Sequence, residues 1–132
     1  MLERGSGYLV HTASMAGILS SHGDLPYAMT KHAVVGLAEW LAFTYHDRGI
    51  RTSLLAPLGV QTPLLENSLL DSELVGPVKS PEAVADMVVD AIEAERFLIL
   101  TDELAQTWME GKTADPERWL RGMRKMQARL ED

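Results

Sequence analysis

The sequence predicts an α/β fold built on a small parallel sheet. Two short apolar segments that end at turns, residues 8–10 and 51–56, have the length and composition of buried strands. Between them, residues 26–47 predict one long helix that begins at a proline and stops at Gly49, a residue type that often ends helices. A strand, a helix and a strand with short connections make a βαβ unit, which implies parallel pairing and a right-handed crossover.

The remaining sequence predicts a third strand, over residues 97–100, and two more helices that begin at Pro81 and Pro116. Residues 58–79 show no regular period, which is typical of a binding loop or lid. Apolar residues at helical spacing predict the buried face of the long helix. These residues are Ala33, Val34, Leu37, Ala38 and Leu41.

Composition narrows the classes of function. The chain has 132 residues and a net charge of −7, which disfavours nucleic acid and anionic membranes as partners. Its 46% hydrophobic content includes no apolar run near the ~18 residues of a membrane span. The absence of cysteine excludes disulfides and thiolate chemistry, and fits a cytoplasmic location. The four histidines show no metal-ligand spacing, so we expect no metal site.

Three polar side chains in residues 9–31 form a candidate site. Ser14 follows the first predicted strand, Tyr27 comes thirteen residues later, and Lys31 follows Tyr27 by four. The spacing of four places the phenol and the ammonium on one helix face, one turn apart. A hydroxyl, a phenol and an ammonium that converge can move a proton onto or off an oxygen.

Ser14, Tyr27 and Lys31 match the Ser-x12-Tyr-x3-Lys signature of the short-chain dehydrogenases/reductases. The surrounding sequence also resembles this family, in residues 14–17, 26, 31–36 and 57–62. The resemblance covers nearly the whole chain, but only the catalytic half of the family's fold. It implies the C-terminal portion of a Rossmann-like doubly wound parallel sheet, with about three strands and flanking helices.

The family's Gly-rich phosphate loop, its ribose-reading acidic residue and its catalytic asparagine have no match here. Residues 1–132 are therefore expected to form a partial domain without the N-terminal dinucleotide-binding half. A truncated gene, or an internal methionine taken as the start, is the expected history. One edge of the sheet, at residues 8–12, is then expected to lack a neighbouring strand.

The resemblance implies roles for individual residues. Tyr27 corresponds to the acid/base, Ser14 to the residue that hydrogen-bonds the reacting oxygen, and Lys31 to the residue that binds the nicotinamide ribose. Tyr27, Lys31, Val60 and Thr62 match cofactor-binding positions, the last two at the nicotinamide carboxamide. A free phenol is a poor base at neutral pH, and a positive charge one turn away favours its ionised form.

The implied activity is hydride transfer between NAD or NADP and an alcohol or carbonyl substrate, with the isolated chain expected to be inactive. The residues that choose between NAD and NADP are absent. Leu58 stands where the family usually has glycine, a departure that could crowd the nicotinamide. The alternative function is a non-catalytic remnant that acts as an interaction module. A nucleotide-sugar epimerase is disfavoured by residues 57–62. Residues 26–47 are the expected surface for a homo-oligomer.

Overall fold

The computed structural model describes residues 1–66 and 76–131. The described residues form three strands, β1 (Gly7–Thr12), β2 (Ile50–Ala56) and β3 (Leu98–Leu100). Both pairings are parallel, and the strand order is β1-β2-β3. The predicted α/β fold with three parallel strands is therefore confirmed, with β1 at one edge of the sheet in this part of the chain.

Six helices connect and flank the strands. They are α1 (Ala16–Leu19), α2 (Leu25–Tyr45), α3 (Pro63–Glu66), α4 (Pro81–Glu93), α5 (Glu103–Ala114) and α6 (Pro116–Glu131), within the described residues. The long helix ends slightly earlier than predicted, because a 3-10 turn over His46–Arg48 follows it and leads to Gly49. Gly49 has a φ of +79°, the left-handed conformation expected of a residue that ends a helix. Helix α5 was not predicted from the sequence.

The central strand β2 is buried because helices cover both faces of the sheet, as parallel sheets require. Leu54 faces α2, where it packs with Ala38 and the partly buried Val34. Leu55 and its β3 neighbour Ile99 face the opposite side, where they pack against α4. Side chains that alternate along β2 therefore divide the core into two layers.

The predicted core stripe of α2 is only partly correct. Ala33 is exposed and Leu37 is 49% exposed, whereas Ala38 is fully buried. The physical reason is that α2 carries apolar residues all around its circumference, so periodicity alone cannot identify the buried side. The side that faces the sheet carries mainly small residues, and large apolar residues occupy the outer side.

Helices α5 and α6 form a C-terminal hairpin on the same side of the sheet as α2. Trp108 and Trp119 pack against a buried cluster that includes Met15 and Leu19. The hairpin therefore covers the segment that follows β1. In the described part of the chain, no helix combines the length and apolar composition needed to cross a bilayer.

Candidate active site

Ser14 lies two residues beyond the carboxyl end of β1, in a segment whose backbone bonds to the end of β2 and to the residue that follows it. The Ala13 N–H donates to the Leu55 carbonyl at 2.8 Å, and the Met15 N–H donates to the Pro57 carbonyl at 2.9 Å. These bonds hold the backbone on both sides of Ser14. Its position thus follows from the register of β1 against β2.

The hydroxyl of Ser14 is half-buried and accepts a hydrogen bond from the Ala16 N–H at 3.1 Å. A serine hydroxyl has one donor hydrogen and two acceptor lone pairs. The bond to Ala16 uses one lone pair and leaves the O–H hydrogen able to donate. Ser14 can therefore offer a hydrogen bond to an oxygen that lies next to it.

Tyr27 lies in the first turn of α2, where a side-chain cap fixes the backbone. The Asp24 carboxylate caps the helix by accepting the Tyr27 N–H at 3.0 Å. Pro26 occupies the preceding helical position, where a missing N–H has no cost. The Tyr27 side chain is half-buried, and its hydroxyl makes no hydrogen bond to any described residue. The phenol is therefore positioned by α2 and remains able to bond to a ligand.

Lys31 joins the helix to the end of β1. Its Nζ donates to the carbonyl of Thr12, the last residue of β1, at 3.3 Å. The same Nζ lies 5.5 Å from the centre of the Tyr27 ring. The structure thus brings the ammonium beside the phenol, on the side of α2 that faces the strand leading to Ser14.

Gly17 permits the close approach between the serine segment and α2. A Cβ atom at this position would lie 2.5 Å from the Lys31 carbonyl oxygen. Real Cβ atoms do not tolerate so short a contact with backbone. Gly17 is therefore required for Ser14 and Lys31 to occupy neighbouring segments, a role that the sequence alone did not reveal.

Val60 and Thr62 lie beyond the carboxyl end of β2, the neighbour of β1. An isolated parallel bridge joins Val60 to Lys79, with the Lys79 N–H donating to the Gly59 carbonyl at 3.0 Å. The Thr62 hydroxyl donates to the Val60 carbonyl at 3.3 Å. Both residues thus lie, like Ser14, at the carboxyl ends of the parallel strands, where open parallel sheets bind their ligands.

The side chain of Leu58 packs into the hydrophobic core. It packs against the cluster that contains Met15 and Ala56, and the Leu58 N–H donates to the Thr101 hydroxyl at 3.1 Å. Of the irregular segment predicted over residues 58–79, α3 is helical, and Leu69, Leu70 and Leu74 lie outside the described residues.

Two hydrogen bonds tie the C-terminal hairpin to the segment between Ser14 and Tyr27. The Lys112 ammonium donates to the Ile18 carbonyl. His22 Nδ1 and Gln127 Oε1 share a hydrogen bond of 2.9 Å. We call Lys112, Gln127 and their two bonds the hairpin clamp. No local sequence signal indicates it, because its partners are 94 and 105 residues apart.

The described residues fit one end of a nicotinamide dinucleotide and not the other. The Lys31 ammonium and the Thr62 hydroxyl are groups that can bond to ribose and carboxamide oxygens and nitrogens. A pyrophosphate is usually held by a Gly-rich turn that follows a strand and opens a helix. After β1, β2 and β3, the described turns into the next helix contain at most one glycine, so they lack that spacing.

Comparison with known proteins identifies the family. The family model for short chain dehydrogenase matches residues 1–73. Levodione reductase from Leifsonia aquatica is 42% identical over 82 residues, which cover 62% of this chain and 31% of that protein. The 1-deoxy-11-beta-hydroxypentalenate dehydrogenase of Streptomyces exfoliatus is 33% identical over 108 residues, covering 80% of this chain and 39% of that protein.

Among solved structures, a short chain dehydrogenase/reductase from Burkholderia phymatum in complex with NAD superposes with a TM-score of 0.71 at 27% identity. The match covers 89% of this chain and 50% of the solved chain. The aligned part thus spans about a third of each of the two curated relatives. The family model matches more than half of the residues of this chain, so the chain belongs to the short-chain dehydrogenase family.

Proposed function

We propose that this chain is the catalytic part of an NAD(P)-dependent oxidoreductase that acts on an alcohol or carbonyl substrate. The observation that carries the proposal is the position of the Lys31 ammonium, which lies beside the Tyr27 ring and is anchored on the end of β1. Family membership and the curated relatives, which are named as a reductase and a dehydrogenase, support the same reaction class.

In the proposed mechanism, the bound nicotinamide supplies or accepts the hydride. Tyr27 passes the proton to or from the substrate oxygen, since its hydroxyl bonds to no described residue. The Lys31 ammonium lies 5.5 Å from the centre of the Tyr27 ring, so its positive charge adjoins the group that moves the proton. Ser14 donates its free O–H hydrogen to the same substrate oxygen and so orients the reacting group.

Cofactor binding is proposed through the nicotinamide end of the dinucleotide. Lys31 would bond to the ribose, and the backbone near Val60 and the Thr62 hydroxyl would bond to the carboxamide. Either NAD or NADP is compatible with these contacts. We further propose that residues 1–132 form a partial domain and that turnover requires a dinucleotide-binding half, because the described turns offer no pyrophosphate site.

The proposed roles are tested by substitution in the longest in-frame protein that carries this chain. Tyr27→Phe removes the proton donor, so turnover should fall about 100-fold or more while cofactor affinity stays nearly unchanged. Lys31→Met should reduce both turnover and cofactor affinity, since it removes both the charge and the ribose contact. Steady-state kinetics and NADH titration separate the two effects.

Tyr45→Phe is the matched control, because Tyr45 lies at the far end of the same helix and contacts Trp40 and Arg48. It should leave both quantities unchanged. Mild and equal losses from Tyr27→Phe and Lys31→Met would contradict the assigned roles.

The 132-residue chain by itself should not bind NADH or NADPH with micromolar affinity. The contacts proposed for Lys31, Val60 and Thr62 would have to supply all of the affinity, and each ~1.4 kcal/mol that is missing weakens binding tenfold. Calorimetric titration of the purified chain checks this. A dissociation constant in the micromolar range or tighter would show that the chain builds a complete cofactor site.

We also propose that α2 forms the interface of a homo-oligomer. Its outer side exposes five large apolar side chains, an arrangement typical of interaction sites. They are Leu25, Met29, Leu37, Trp40 and Phe43. Phe43→Glu should lower the mass of the particle measured by sedimentation, whereas Thr107→Glu at an exposed position of α5 should not. The same surface supports the alternative function, an interaction module without turnover, which the kinetic test distinguishes.

A further inference from the structure

The outer side of α6 concentrates positive charge in an acidic chain. The helix carries five of the twelve basic residues and two acidic ones, a net charge of +3. Because the whole chain has a net charge of −7, the remaining residues together carry −10. The five basic side chains are Arg118, Arg121, Arg124, Lys125 and Arg129, and all are exposed.

Four of these residues line one side of α6. Arg118, Arg121, Lys125 and Arg129 recur at spacings of three and four, which places them along a single face. We call these four residues the basic stripe. The apolar residues Trp119, Met123 and Met126 lie on the other side and are half-buried, with Trp119 packed against the core.

A row of acidic residues occupies the outer side of α4. Glu82, Asp86, Asp90 and Glu93 also recur at spacings of three and four, and all four are exposed. We call them the acidic stripe. Helix α4 contains no basic residue that could neutralise it.

Neither stripe forms an ion pair with another described residue. The ion pairs of the described residues are His46–Asp47, Arg51–Glu95 and Lys79–Asp102, and they include no member of either stripe.

The two stripes also lie on opposite sides of the sheet. Helix α4 packs against Leu55 and Ile99, whereas Trp119 of α6 packs with Ala56 and Leu100, which point the other way. The stripes therefore cannot meet within one chain.

We propose that the basic stripe of α6 docks on the acidic stripe of α4 in a second copy of this chain. Each stripe spans twelve residues, and its first and last residues are eleven steps apart, which is about 16 Å of helix at ~1.5 Å per step. The two rows thus match in length as well as in charge. Because the two contacting surfaces differ and lie on opposite sides of the sheet, the contact is head-to-tail and builds either a closed ring or an open row of copies.

An anionic lipid surface is the other class of partner that basic amphipathic helices bind. Such helices insert their apolar side into the membrane. In α6 that side is already used, because Trp119 packs on the core and Gln127 bonds to His22. Leu120 and Leu130 are partly exposed, but they lie outside the basic stripe. The stripe itself therefore presents only charged side chains, which favours a charged protein surface.

Site-specific cross-linking tests the contact, and the cysteine-free sequence makes each introduced thiol unique. Val89→Cys lies beside the acidic stripe and Ala128→Cys beside the basic stripe, and both positions are exposed and uncharged. The two variants are mixed, one with a size tag, and treated with a short bismaleimide. The cross-link between Val89→Cys and Ala128→Cys, the mixed product, should form at least tenfold faster than a cross-link between two copies of the same variant.

The rate at which the mixed product forms should also fall at least tenfold between low salt and 1 M NaCl, where the Debye length is about 3 Å. Reversing two charges in one stripe, with Asp86→Lys and Asp90→Lys or with Arg121→Glu and Lys125→Glu, should suppress it. Combining an α4-reversed partner with an α6-reversed partner should restore it. Circular dichroism verifies that each variant keeps its helices.

The proposal would be overturned if cross-links between different variants and between identical variants formed in equal yield. It would also be overturned if charge reversal left the yield of the mixed product unchanged. Cosedimentation with vesicles of phosphatidylserine and phosphatidylcholine, lost on Arg121→Glu and Lys125→Glu without any mixed cross-link, would assign the stripe to lipid. Self-association through α2 does not predict a preference for Val89 with Ala128, so the two interfaces remain distinguishable.

Discussion

The region that carries Ser14, Tyr27 and Lys31 is held together differently from the C-terminal hairpin. Backbone hydrogen bonds, strand register and the backbone contact at Gly17 position the first region. Apolar packing and the hairpin clamp attach the second. Changes in backbone geometry should therefore have larger effects than the loss of one side-chain bond.

The largest effect is expected from Gly17→Ala. The added Cβ meets the Lys31 carbonyl oxygen at 2.5 Å, and overpacking of this kind costs about 1–3 kcal/mol. Gly36→Ala is the matched control, because a Cβ there meets nothing within 4 Å. Alanine in that helix interior should raise the free energy of unfolding by up to ~1 kcal/mol. Urea denaturation measures both changes, and an equal gain in the free energy of unfolding for the two variants would show that the contact at Gly17 is not tight.

A smaller effect is expected from Asp24→Ala, which removes the cap of α2. Loss of such a cap costs about 1 kcal/mol in the free energy of unfolding. Ser80→Ala removes the corresponding cap of α4, where the Ser80 hydroxyl accepts the Ala83 N–H at 3.2 Å. Both substitutions should lower the free energy of unfolding by a similar amount, but only Asp24→Ala should speed hydrogen exchange at the Tyr27 amide. Faster exchange there in Ser80→Ala would mean that the caps do not act locally.

The smallest effect is expected from Gln127→Ala, which breaks one bond of the hairpin clamp. A single hydrogen bond contributes about 0.5–1.5 kcal/mol, so limited proteolysis near His22 should accelerate several-fold with little change in overall stability. Gln106→Ala is the control, since the Gln106 side chain bonds to Glu110 in its own helix and to no other described residue. Identical proteolysis of the two variants would show that the clamp does not restrain this segment.

The fold and the positions of the candidate site residues followed from local patterns in the sequence. The spacing of four between Tyr27 and Lys31, and the strand that ends before Ser14, are fixed by helix and strand geometry. These features depend on residues that are close in the chain. Periodicity therefore sufficed to predict them.

The features that could not be predicted from the sequence depend on contacts between distant residues or on weak local patterns. Helix α5 is only weakly apolar and contains Gly111, so its period is hard to recognise. The outer side of α2 is as apolar as its inner side, which led to the wrong assignment of Ala33 and Leu37. The hairpin clamp and the contact at Gly17 appear only when segments meet in space.

The hairpin clamp connects residues inside the family match to residues outside it. The short chain dehydrogenase model matches residues 1–73, whereas Lys112 and Gln127 lie beyond that range. Substitutions in the hairpin can thus alter the segment between Ser14 and Tyr27 without changing either residue. How tightly this segment is held and which side chains flank it are therefore set by different parts of the chain and can change independently.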